Sequence, residues 1–347
     1  MQFPQNIQDR QAANWGIIFS VLVCLAIIAL GTVLINYELA EPDPALGGFF
    51  YEWQLANPTF WSRATAWVGF GLHQILIWLT IWWAIEKSPR TYSGTLRPVN
   101  LIALGINAVF ILLHFGQTAL FYDGIAQDLP SWTAQGTVIM MLFVIIAMEN
   151  RRRGIFFGRK VQFRKEFYRW MRDYHGYAFS FAVIYTFWFH PMVFTWGHLL
   201  GFLQVFLVMI QGSLMFTRMH LNKTWIVLIE LMVLPHAALI AFNQGGGIVY
   251  MFAYGFLTIF IVTQMHAFNL KPMVKNLIYA GFAITVLGIY LFVRQPFQVN
   301  EVIRIPAIEY LLVFVTYWGW LLFARLTGRI ESFKVQEPPP PVPAGMD

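Results

Sequence analysis

Residues 98–122 read PVNLIALGINAVFILLHFGQTALFY, an apolar run with no charged side chain and a single imidazole, His114. A helix of about 20 such residues crosses the hydrocarbon core of a bilayer, because it satisfies every backbone polar group without help from water. Runs of the same kind recur at 15–36, 63–86, 133–150, 176–196, 197–217, 225–244, 247–268, 276–294 and 306–328. Most gaps between them are short, so consecutive spans are antiparallel neighbours in one bundle. The fold class that follows is all-α: a polytopic membrane helix bundle of about ten crossings, one domain over 1–330.

Composition agrees with this reading. The 347 residues are 58% hydrophobic and 12% charged, with a mean hydropathy of +0.58, which excludes an ordinary soluble globular protein. With the N-terminus cytoplasmic, all of the 23 Lys and Arg except Arg63, Arg294 and Arg304 fall in cytoplasmic segments. That asymmetry predicts both termini inside, and it suits a bacterial inner (cytoplasmic) membrane. The net charge of +6 is then a topology signal, and no nucleic-acid partner is implied. Cys24 is the single cysteine and lies in the first span, so no intrachain disulfide or thiolate cluster is expected. The first span lacks a small-residue cleavage motif and reads as a retained helix.

Three segments depart from the pattern of spans and short turns. An outside loop at 37–62 mixes Glu38, Glu41, Asp43 and Glu52 with Phe49, Phe50, Tyr51, Trp53, Phe60 and Trp61, as an interfacial loop does. On the cytoplasmic side, 151–175 interleaves basic residues with Phe163, Phe167, Trp170, Met171 and Tyr174 at helical spacing. This reads as an amphipathic basic helix in the headgroup region, with anionic lipid as its partner and positive-inside anchoring as the plainer account. The tail at 331–347 carries Pro338, Pro339, Pro340 and Pro341 and reads as polyproline II or disordered.

The chemistry rests on eight histidines, each within or at the edge of a span. An imidazole in hydrocarbon is costly unless paired, hydrated or ligated. By helical rise, His73, His114 and His236 lie roughly 12–15 Å below the outside ends of their spans and His190 roughly 9 Å below, with His198 nearer the surface. A shared ligand requires side chains at a common depth, so His73, His114, His190 and His236 are the candidate cofactor ligands. His73 and His114 form the leading pair. Two axial imidazoles hold a haem b, and the same donors suit copper, non-haem iron or a chlorophyll magnesium. For any one of these histidines the plain alternative is a hydrogen bond to a neighbouring helix, with Gln74, Asn107, Gln117, Gln204 and Gln211 available.

A second layer sits at the cytoplasmic boundary, where His175, His220 and His266 end three further spans. With Asp173, Glu149 or Glu230 they would bind iron or zinc, or line a pocket for a quinone headgroup or an anionic substrate. Glu230 is the acid that this reading places well inside a span, as a proton relay or the partner of an arginine such as Arg218, and Pro235 kinks the helix before His236. Phosphate-loop, dinucleotide-binding, serine-hydrolase and zinc-finger motifs are missing, as are the clustered histidine boxes of membrane desaturases. Three functions remain open. The first is a membrane redox protein exchanging electrons with a quinone or lipid-soluble substrate. The second is a non-haem metal enzyme acting on a lipid at the cytoplasmic face, with Asp173 and Glu230 as catalytic groups. The third is a proton-coupled transporter or assembly subunit.

Overall fold

A proline or a capping side chain marks the start of most helices in the computed structural model, which describes residues 7–34, 37–41, 43, 45, 51–89, 91–245 and 247–328. The proline-rich tail, with Phe49 and Phe50 of the acidic loop, lies outside the described residues. Those described form eleven α-helices and no strand: α1 (Asp9–Leu34), α2 (Phe60–Lys87), α3 (Pro98–Phe121), α4 (Ser131–Arg153), α5 (Lys165–Phe189), α6 (Trp196–Ser213), α7 (Lys223–Leu231), α8 (Val233–Gln244), α9 (Ile248–Val262), α10 (Pro272–Phe292) and α11 (Glu301–Leu326). Thr59, Thr195 and Asn222 cap α2, α6 and α7 by accepting the backbone N–H of Ser62, His198 and Trp225, while Pro98 and Pro272 open α3 and α10.

Nine helical stretches among the described residues are long and apolar enough to cross a membrane, and the chain is an integral membrane protein of the multi-pass class. The span expected at 225–244 is broken into α7 and α8 at Met232. Pro235 has no N–H to offer the Leu231 carbonyl, which accounts for the break. The span expected at 176–196 is the second half of α5, whose first turns carry the charges of the basic segment. At 25 residues α5 runs for about 37 Å. It stops at Phe189 because Pro191 forces His190 into extended backbone (φ −106°, ψ 137°).

Polar contacts define two ends of the bundle. At the basic end the Met219 N–H donates to Asp9 Oδ2 (2.7 Å), Ser93 N–H to the Phe216 carbonyl (3.0 Å) and Arg152 Nη2 to the Leu221 carbonyl (2.7 Å). At the opposite end Arg63 pairs with Asp128 (2.8 Å), and the Leu55 N–H donates to Gln127 Oε1 (2.9 Å). Between them α5 packs against α2, α4 and α6, while α9 packs against α8 and α11, and α11 reaches back to α4.

Helices surrounded by lipid gain little from hydrophobic burial against one another, so close approach and polar contacts decide how they pack. Gly69 of α2 is one such approach: a Cβ there would run into the indole of Trp188, which is fully buried. A second core joins Ile146, Phe163, Phe167, Met171, Val313 and Trp320 from α4, α5, α11 and the loop before α5. The aromatic face of 151–175 is therefore mostly covered by protein, and its residues from Lys165 onward are the first turns of α5 instead of a separate surface helix. Arg164, Lys165 and Arg172 stay exposed.

Candidate functional site

His73 and His114, the leading pair, are fully buried with all four ring nitrogens engaged. His73 Nε2–H donates to Asn107 Oδ1 (2.9 Å), and Trp188 Nε1–H donates to His73 Nδ1 (3.3 Å), which fixes the tautomer. Phe110 stacks on the same imidazole at 4.4 Å. His114 Nε2–H donates to the His190 carbonyl (2.9 Å), and its Nδ1 meets the Gln117 side chain (3.1 Å). The Trp188 ring lies 4.3 Å from the His114 ring, so the space between the two histidines is filled. A porphyrin does not fit there without moving Trp188. The His73–Asn107 bond and the His114 bond to the His190 carbonyl are the interhelical hydrogen bonds that stood as the plain alternative; Gln117, one turn along α3 from His114, is an intrahelical partner.

The other histidines of this layer behave differently. His190 sits just past the end of α5, and its ring lies 5.3 Å from that of His198, in the first turn of α6. His236, on α8, reaches the backbone of Gly197 and packs over Gly201, where a Cβ would come within 2.9 Å of the ring. Each ring is held on one side. His190 Nδ1 is 2.7 Å from the Tyr51 hydroxyl, and His198 Nδ1 is 2.9 Å from Thr195 Oγ1. His236 Nδ1 is buried without a partner, and the side-chain hydrogen bonds of His190 and His198 are made through Nδ1. No three His, Cys, Asp or Glu side chains among the described residues are already spaced to hold a metal ion, so ligation here requires the rings to turn toward one another.

Tyr51 and Trp53 of the acidic, aromatic loop cover this cluster. Tyr51 is buried against Phe189 and His190, and Trp53 meets His198 edge-on at 4.6 Å. Asp123 lies beneath the same cover, its Oδ1 accepting the Gly124 N–H (2.8 Å) and its Oδ2 unpartnered. Burial pushes its carboxyl up to about 6.

At the basic end the second layer does not converge. His175 and His220 lie 6.2 Å apart, with His175 Nδ1 bound to the Arg172 carbonyl (2.7 Å) and His220 Nδ1 to the Gln211 carbonyl (2.8 Å). Burial, then His175 and Arg152, hold the His220 imidazole down to about 4. His266 faces Phe157 and the Tyr279 hydroxyl (3.4 Å), partners it shares with neither. Asp173 pairs with the adjacent Arg172 (3.2 Å). Glu230 is buried against Arg153 at 2.9 Å, a close contact out of line for a straight hydrogen bond. Its partner is thus Arg153, which turns inward from the basic cluster, and not Arg218.

Sequence reasoning passed over Tyr51, Trp53 and Glu309 and set His198 aside. Two signals for His198 were present: Pro191 ends α5 directly after His190, and Thr195 caps α6 three residues before His198. No family model, curated protein or solved structure matches this chain.

Proposed function

We propose that this chain is a membrane-embedded redox protein that holds a copper or non-haem iron ion with His190, His198 and His236 and exchanges electrons with a quinone or another lipid-soluble substrate. The observation that carries this reading is the half-occupied state of the three imidazoles. Ligating histidines are oriented through one ring nitrogen by the protein and keep the other for the metal. Neutral imidazole donors suit copper and iron, which cycle between oxidation states, and zinc, which does not.

A route for electrons supports the same reading. An apolar cavity of about 280 Å³ between α1, α3 and α6 has Asn107 and Ser213 among its lining residues. From Asn107 the contacts continue through His73, Trp188 and His114 to the backbone of His190. A lipid-soluble molecule in the cavity would thus connect to the histidine cluster through packed rings. The basic end lies in the cytoplasm on this proposal, by the positive-inside rule, in a bacterial inner membrane, with Arg164, Lys165 and Arg172 toward anionic lipid.

The test is elemental analysis with visible and electron paramagnetic resonance spectra of detergent-purified protein. Native protein is expected to bind copper or iron, and His198→Ala and His236→Ala to lose it with helicity unchanged. A native preparation that is metal-free and takes up neither copper nor iron on titration refutes the proposal.

A further inference from the structure

The buried residues of α11 are Glu301, Val302, Pro306, Glu309, Val313, Trp320 and Ala324, apolar except for the two glutamates. Glu309 is 1% exposed, and its Oε2 has no hydrogen-bond partner. The two other buried glutamates are neutralised: Glu301 by Arg294 (2.7 Å) with the Tyr290 hydroxyl (3.1 Å), and Glu230 by Arg153. Among the described residues Glu309 forms no ion pair. Ile305 packs on Gly255 of α9, so one turn further on Glu309 is level with Ile259, in the middle of the bundle.

Toward the basic end a series of polar groups begins beside it. The next residue is Tyr310, whose hydroxyl lies 2.7 Å from Thr263 Oγ1. Thr263 Oγ1–H donates to the Ile155 carbonyl (2.7 Å), and the next residue, Gln264, lies near the Glu230 carboxyl. Beyond the Arg153–Glu230 pair, Glu149 and Arg152 form a partly exposed pair (3.1 Å) at the surface. Polar groups are costly in this setting, and a series of them spaced between a surface and a lone carboxyl is the kind of arrangement through which protons cross apolar interiors.

We infer that Glu309 is a proton-binding site loaded from the basic end of the bundle through Glu149, the Arg153–Glu230 pair, Thr263 and Tyr310. A proton taken from water at the surface converts the Glu309 carboxylate to a carboxylic acid, and release reverses the step. No electrons move, and no co-reactant is needed. Proton carriage is an activity independent of the histidine cluster.

Infrared difference spectroscopy of the detergent-purified full-length protein across a pH titration tests this, since a protonated carboxyl has its own C=O band above the amide region. Glu309→Gln is expected to lose one such band, and Glu309→Asp to keep it at a shifted frequency. Tyr310→Phe, which cuts the link to Thr263, is expected to keep the band but load it more slowly after a pH jump. If Glu309→Gln retains every carboxyl band, or Tyr310→Phe loads at the native rate, the inference falls. The signal needs no metal, so its failure is distinct from failure of the redox proposal.

Discussion

Replacing Tyr51 by Phe removes one hydroxyl from above the histidine cluster and leaves the ring in place. The contacts of that ring with Trp53 and Phe189, both at 5.5 Å between centroids, persist, so the packing contribution nearly cancels. What is lost is the 2.7 Å contact to His190 Nδ1. Hydrogen bonds inside membrane proteins average about 0.6 kcal/mol and reach about 1.7. An orphaned buried polar atom costs about 1–3 kcal/mol. Together these predict a loss of about 1–2 kcal/mol, read from thermal unfolding in detergent. If His190 ligates a metal, losing the group that orients it weakens binding about 10–100-fold. Competition for copper(II) against a chromophoric chelator measures that. Tyr37→Phe is the control, because its hydroxyl donates to the Ala119 carbonyl (3.2 Å) and touches no imidazole. A Tyr51→Phe protein that holds copper within about twofold of native, or a Tyr37→Phe protein that loosens it equally, refutes the reasoning.

Arg153→Met leaves Glu230 charged and buried and should cost about 3–5 kcal/mol, while the double variant with Glu230→Gln recovers most of it; equal melting temperatures for the two would show that the pair is not coupled. Asp123 ionises near 6 when folded against 3.8 ordinarily, so the folded state keeps a proton that the unfolded chain has already released. Stability should therefore fall as pH rises from about 4 to about 6 and level off above, and Asp123→Asn should flatten that slope in melting temperature against pH. Trp188→Phe leaves His73 Nδ1 without its donor and should cost about 1–3 kcal/mol while leaving copper binding at the native level, which separates the core histidines from the proposed ligands in the same titration.

The depth of each histidine was legible, and its direction was not. Helical rise placed His73, His114, His190 and His236 in one layer, and the structure does gather histidines there. It groups His190 and His236 with His198, however, and turns His73 and His114 toward amides, a carbonyl and Trp188. The segment after Phe189 shows why. A span read as continuous helix breaks at Pro191, and the residues before Trp196 bring His190 beside the first turn of α6. Glu309 was visible as an acid in an apolar run, but nothing in spacing says that it falls on the buried stripe without a cation while Glu230 meets Arg153.

Apolar run lengths by themselves determined the all-α membrane bundle and the place of each helix in the chain, because backbone hydrogen bonding in lipid leaves few alternatives, while several helix ends fall four to eleven residues from the ends of the apolar runs. Tertiary structure alone decided which imidazoles keep a nitrogen free, which arginine turns inward, and that Tyr51 and Trp53 pack over the histidines. Those outcomes depend on how each helix is rotated about its axis and on what lies across from it, and both are set by contacts between residues far apart in the chain.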